Sequence, residues 1–189
     1  INLFFSILAF GMLGIYIKSI SRIWIGEIQI QFILFSLVLL VGWFMNTISV
    51  PVFFSNIGSG KLKNNVISNI IISGLSFVFG SILGSLIGGF GVVISVTLAL
   101  IIGSLYLIIS SARVEKLNYQ SLFSKKGLLP LLFSSIFFIT ISNALFNHRT
   151  SLFYLVVINT ITSMVLLTIA WFSPIRKWVT QILKKENLN

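Results

Sequence analysis

Apolar residues fill six runs of the chain, at 1–17, 32–54, 66–88, 91–111, 128–146 and 151–172, and most of the charges lie between them. A helix rises 1.5 Å per residue, so each run crosses or nearly crosses a hydrocarbon core of about 30 Å. The pattern predicts an all-α integral membrane protein with about six transmembrane helices, forming one helical domain over 1–189. After the last run Pro174 stops the helix. Beyond it Ile175, Trp178, Val179 and Ile182 share a face and Arg176, Lys177, Lys184 and Lys185 lie elsewhere, which predicts a surface helix over 174–185.

The interruptions carry the next layer of information. The first run ends at Lys18 and Arg22, and a connector to Gln31 holds Trp24, suited to a membrane interface, and Glu27, which is expected to be solvated. In the second run Asn46-Thr-Ile-Ser-Val-Pro51 concentrates polar atoms around a proline, which removes one backbone hydrogen bond and frees the Thr47 carbonyl. That predicts either a packing kink or a break lining a cavity. Gly58-Ser-Gly-Lys61 has the look of a phosphate-binding loop, but its first glycine would have to stand at Ser55, Leu62 replaces the Ser or Thr, and no strand precedes it. A short basic turn with Lys61 and Lys63 near lipid headgroups is the better reading. Pro130 suits the first turn of the fifth helix.

The third and fourth runs carry two ladders of small residues four apart: Ser76, Gly80, Gly84 and Gly88, then Gly91, Ser95, Ala99 and Gly103. Residues four apart share a helix face, and small residues let backbones touch where lipid supplies little hydrophobic force between helices. A tight hairpin is expected, with Gly88 against Gly91, Gly84 against Ser95, Gly80 against Ala99 and Ser76 against Gly103. Either ridge facing a third helix is the alternative.

Composition agrees with the pattern and narrows it. With 57% hydrophobic and 8% charged residues, the chain has more apolar surface than a water-soluble domain of 189 residues buries. The net charge of +10 comes from cations between and beyond the apolar runs, which argues for topology signals and against nucleic acid. One side would hold Lys18, Arg22 and Arg149; the other would hold Lys61, Lys63, Arg113, Lys116, Lys125, Lys126, Arg176, Lys177, Lys184 and Lys185. The richer side, with the C-terminus, is expected in the cytoplasm. There are no cysteines, hence no disulfide framework. The chain opens at Ile1 inside an apolar run, without an initiator Met or signal pattern, and reads as the C-terminal piece of a longer protein.

Three acids and one histidine, His148, assemble no catalytic triad, carboxylate pair or metal cluster, so no enzyme, cofactor or metal is expected. No Asp, Glu, Lys, Arg or His falls in the middle of a run. The polar atoms there are neutral: Asn46, Thr47 and Ser49; Asn69 and Ser73; Thr140, Ser142 and Asn143; Asn159, Thr160, Thr162 and Ser163. Such residues most often pair between helices, and the alternative is a hydrated path for a polar substrate. The candidates for that path are Asn46, Asn69 and Asn159, with Lys61 and Lys63 at its mouth.

Arg22-Ile-Trp-Ile-Gly26-Glu27, Lys61-Leu-Lys-Asn64-Asn65 and the Gly88-Gly-Phe-Gly91 turn between small-rich helices together resemble the C-terminal half of Wzx-type polysaccharide flippases. These belong to the multidrug/oligosaccharidyl-lipid/polysaccharide exporter superfamily. The resemblance implies a bacterial inner-membrane transporter in which two helical lobes alternate access for a lipid-linked oligosaccharide, handed on to polysaccharide polymerase machinery. A drug or metabolite antiporter of the same superfamily and a non-transporting membrane scaffold are the alternatives.

Overall fold

The structure, a computed structural model, describes residues 2–114, 128–144 and 151–172. The turn 147–150 with His148 and the surface helix expected over 174–185 lie outside the described residues, as does most of the fourth connector. The described residues form α1 (Asn2–Ile25), α2 (Ile30–Gly58), α3 (Lys63–Ile87), α4 (Gly89–Val114), α5 (Leu128–Ala144) and α6 (Leu152–Phe172). All but α5 are long and apolar enough to cross a membrane. This is an all-α membrane protein. Its large outward side chains, such as Ile70, Phe77 and Leu86 on α3, are apolar, which a bilayer solvates and water would not. Contacts gather the helices into two compact units, one of α1, α5 and α6 and the other of α2, α3 and α4.

Helix ends follow backbone chemistry more closely than hydropathy. α1 runs eight residues past the apolar run that ends at Ile17, because Lys18 and Arg22 are good helix formers, and it stops where Gly26 takes a φ of +88°. Most of the expected connector is therefore helix. The turn that remains is pinned by the Ser21 hydroxyl, which donates to the Glu27 carbonyl at 2.9 Å and accepts from the Gln29 N–H at 3.0 Å.

α2 continues through Pro51 to Gly58, so of the two expectations for that proline the break is excluded. Its 29 residues span about 43 Å at 1.5 Å per residue. The end is a Schellman motif: Gly60 has a φ of +71°, its N–H donates to the Ile57 carbonyl at 3.1 Å, and the Lys61 N–H donates to the Asn56 carbonyl at 2.8 Å. The N–H groups of Ser59, Gly60 and Lys61 are thus spent on closing the helix.

Candidate functional site

A single residue, Gly88, joins α3 to α4; its φ of 67° and ψ of −149° belong to a region open essentially to glycine alone. All four small residues of α4 are buried, with Ser95 and Ala99 fully enclosed. The α3 ladder behaves otherwise. A Cβ on Gly80 would meet nothing within 4 Å, one on Gly84 would touch only Val92, at 2.9 Å, and Gly88 is spent in the turn. At Gly91 a Cβ would stand 2.1 Å from the Leu83 carbonyl oxygen, and at Gly103 it would stand 2.3 Å from the Ile72 side chain and 3.1 Å from the Ser68 carbonyl.

The expected pairs Gly84–Ser95, Gly80–Ala99 and Ser76–Gly103 are therefore corrected, whereas Gly91 does meet Gly88, its N–H donating to the Gly88 carbonyl at 3.0 Å. Gly91 meets α3 at Leu83 and Gly103 meets it at Ile72, each about one turn before the expected partner. The reason is the length of the link: α4 already winds at Gly89, so two residues assigned to a loop become helix and shift the register. The other flank of α4 takes α2, where a Cβ on Gly42 would lie 3.1 Å from the Thr97 Cα and the Thr97 hydroxyl donates to the Val38 carbonyl at 3.3 Å. Phe35 stacks on Phe90 with ring centroids 5.7 Å apart.

Two polar clusters stand out, one in each unit. In the first, Asn159 of α6 is completely buried, and its Nδ2 donates to Ser19 Oγ of α1 at 3.0 Å. The Ser142 hydroxyl of α5 reaches Asn159 Oδ1 at 2.8 Å and the Ile15 carbonyl at 3.0 Å. One amide thus ties three helices, and both of its ends are engaged. Close approach is possible because α1 offers glycine at the contacts: a Cβ at Gly11 would lie 3.1 Å from Ser135 Oγ, and one at Gly14 would lie 2.7 Å from the Ile139 side chain. Tyr16 and Thr160 meet hydroxyl to hydroxyl at 3.1 Å beside them.

Lys18 is the residue the sequence misplaced. Read as a flank, it lies inside α1, only 8% exposed, and its Nζ donates to the carbonyl of Asn143 in the last turn of α5. The last four carbonyls of a helix have no partner within it and carry the negative end of its dipole. An ammonium from the neighbouring helix meets both needs, which explains why a lysine is buried there. Lys18→Met is expected to lower the stability of this unit by about 1 to 2 kcal/mol, read as a shift in the thermal unfolding midpoint in detergent.

In the second unit Asn56, 2% exposed at the end of α2, donates through Nδ2 to Asn65 Oδ1 at 2.8 Å and to Ser111 Oγ at 2.9 Å. Asn65 in turn donates to the Phe53 carbonyl at 2.9 Å. Twelve residues on α3 from Asn56, Ser68 bonds the Gly103 carbonyl at 2.8 Å and continues the seam. Sequence reasoning passed over Asn56, and took Asn65 only as part of a motif, because both stand near helix ends, where an Asn is ordinarily solvated. The available signal was their place on either side of the Gly60 cap, which folds the two back against each other.

Of the path candidates, then, Asn159 is enclosed and engaged as an interhelical pair would be. Asn46 is half-buried, and its carbonyl accepts from the Ser49 hydroxyl at 2.7 Å. Asn69 is exposed on α3, and Lys61 and Lys63 are exposed around the α2–α3 turn. The five are not gathered in one place by any contact within a unit. The chain matches no protein-family model, no curated protein and no solved structure.

Proposed function

We propose that this chain is a helical lobe of an exporter that moves a lipid-linked oligosaccharide across the bacterial inner membrane by alternating access. The observation that carries this reading is the position of the three stretches behind the resemblance to Wzx-type flippases. Each falls on a helix junction and supplies what the junction needs: Gly26 ends α1, Lys61 to Asn65 follow the Gly60 cap and enter the Asn56 clamp, and Gly88 turns α3 into α4. Features that build the helical plan are those a shared plan would retain. Asn46 and Asn69 remain the polar side chains for a hydrated path. The scaffold alternative draws on the engagement of Asn159 and Asn56 in packing.

Orientation follows from the cations. With Lys18 committed to α5, the sparse side keeps Arg22 and Arg149 of its three, against ten on the other. A reporter fused after Asn189 is expected to be active in the cytoplasm, and Asn147→Cys to be labelled from outside by an impermeant reagent. Loss of the full-length gene is expected to remove surface polysaccharide and leave the lipid-linked repeat unit on the cytoplasmic leaflet; Asn46→Leu and Asn69→Leu should lower polymer while the protein stays in the membrane. Normal polysaccharide without the gene would end the transport reading. Labelling of Asn147→Cys only in opened membranes would reverse the orientation.

A further inference from the structure

The Asn56 clamp has an outer side. Asn56, Asn65 and Ser111 hold the end of α2, the start of α3 and the end of α4 within hydrogen-bond distance, at 2.8 and 2.9 Å. Lys61 is tied to the same clamp by its N–H on the Asn56 carbonyl at 2.8 Å; Lys63 precedes Asn65 by two residues and Arg113 follows Ser111 by two. All three cations are exposed. No Asp or Glu occurs among the described residues of this unit, and Glu115 lies outside them. The clamp therefore brings three like charges to one end of the unit with no anion among these residues to neutralise them. Exposed apolar side chains adjoin them in the chain, Phe54 and Ile57 on α2, Leu62 in the turn and Val66 on α3.

We infer that Lys61, Lys63 and Arg113 form a site for the phosphate-bearing headgroup of a resident anionic phospholipid, whose acyl chains lie along Phe54, Ile57, Leu62 and Val66. The paired requirement, cations at the helix ends and greasy side chains next to them, selects an amphiphile over free phosphate. Because Asn56 fixes the three ends before the lipid arrives, the charges need not be gathered on binding, which distinguishes a site from a diffuse basic surface. Arg113, in the last turn of α4, also offsets the negative end of that helix dipole, and an exposed guanidinium does so while still reaching a headgroup.

The test is native mass spectrometry of the full-length protein in detergent, titrated separately with phosphatidylglycerol, phosphatidylcholine and a polyprenyl diphosphate. At about 1 kcal/mol per cation near an anionic headgroup, the first phosphatidylglycerol should bind tighter than phosphatidylcholine by on the order of a hundredfold, each single Gln variant should lose about fivefold, and the triple Lys61→Gln/Lys63→Gln/Arg113→Gln variant should lose the preference. Arg176→Gln/Lys177→Gln should keep it. A triple variant that still prefers phosphatidylglycerol, or an equal loss in the Arg176/Lys177 pair, overturns the site. Displacement of phosphatidylglycerol by an equal or lower concentration of the polyprenyl diphosphate overturns its assignment to a resident lipid and gives the cations to a transported one. The readout is binding, so it stands whatever the protein moves.

Discussion

Gly91→Ala is expected to destabilise the α3–α4 hairpin by about 3 kcal/mol or more, the largest effect of a methyl group added at any described glycine. The new Cβ would lie 2.1 Å from the Leu83 carbonyl oxygen and 2.4 Å from its carbon, and both are backbone atoms that no rotamer change moves aside. The helices must part there, just beyond a one-residue turn that allows little adjustment. Alanine gains at most about 1 kcal/mol over glycine in helix propensity, so the collision decides the sign. Gly80→Ala has the same propensity gain and meets nothing within 4 Å; it should be neutral or stabilising. Gly103→Ala falls between, since its nearest neighbour, Ile72, is a side chain that gives way while the Ser68 carbonyl at 3.1 Å does not. Unfolding of the three variants in detergent should rank them in that order. A Gly91→Ala protein as stable as the parent, or a Gly80→Ala protein less stable than Gly91→Ala, would mean that the helices do not touch where the structure has them.

Asn159→Leu is expected to cost about 1 to 3 kcal/mol, since it strips two hydrogen bonds from a fully buried site, takes the amide from Ser19 and leaves Ser142 only the Ile15 carbonyl. Interhelical hydrogen bonds in membranes average only about 0.6 kcal/mol, because the separated helices find other partners, so two lost bonds alone would reach only the bottom of that range. The rest comes from fitting a branched apolar side chain into a pocket shaped for a flat amide. Loss of folded protein from the membrane, in step with a lowered unfolding midpoint, is the expected result. Asn69→Leu, at an exposed position, should leave stability unchanged. If Asn159→Leu kept its stability and abolished polysaccharide export, the amide would belong to the transported molecule's path after all.

The two substitutions probe different kinds of information. That Asn159 lies in a helix of membrane-spanning length is written in the apolar run around it, since period and length need only neighbouring residues. That its amide meets Ser19 and Ser142 depends on contacts 140 and 17 residues away along the chain, which no local pattern encodes. The seams of small residues show the same division. The α4 ladder of Gly91, Ser95, Ala99 and Gly103 was legible as a buried ridge, because spacing alone places it on one face. Its register against α3 was not legible, since one residue more or less in the turn slides every rung.

The chain by itself determined the class of molecule and the number of its apolar segments, together with the glycines at its junctions, because hydrocarbon solvation and positive φ act residue by residue. Only the tertiary structure decided which polar groups each helix shares. α1 carries Lys18 to the carbonyl of Asn143, on a helix that begins more than a hundred residues later. Pro51 leaves α2 intact, and Asn56 and Asn65 become a buried clamp because the Gly60 cap turns the chain back on itself. A buried donor or acceptor must find a partner wherever the fold provides one, and that partner is set by packing among distant segments and not by the residues on either side.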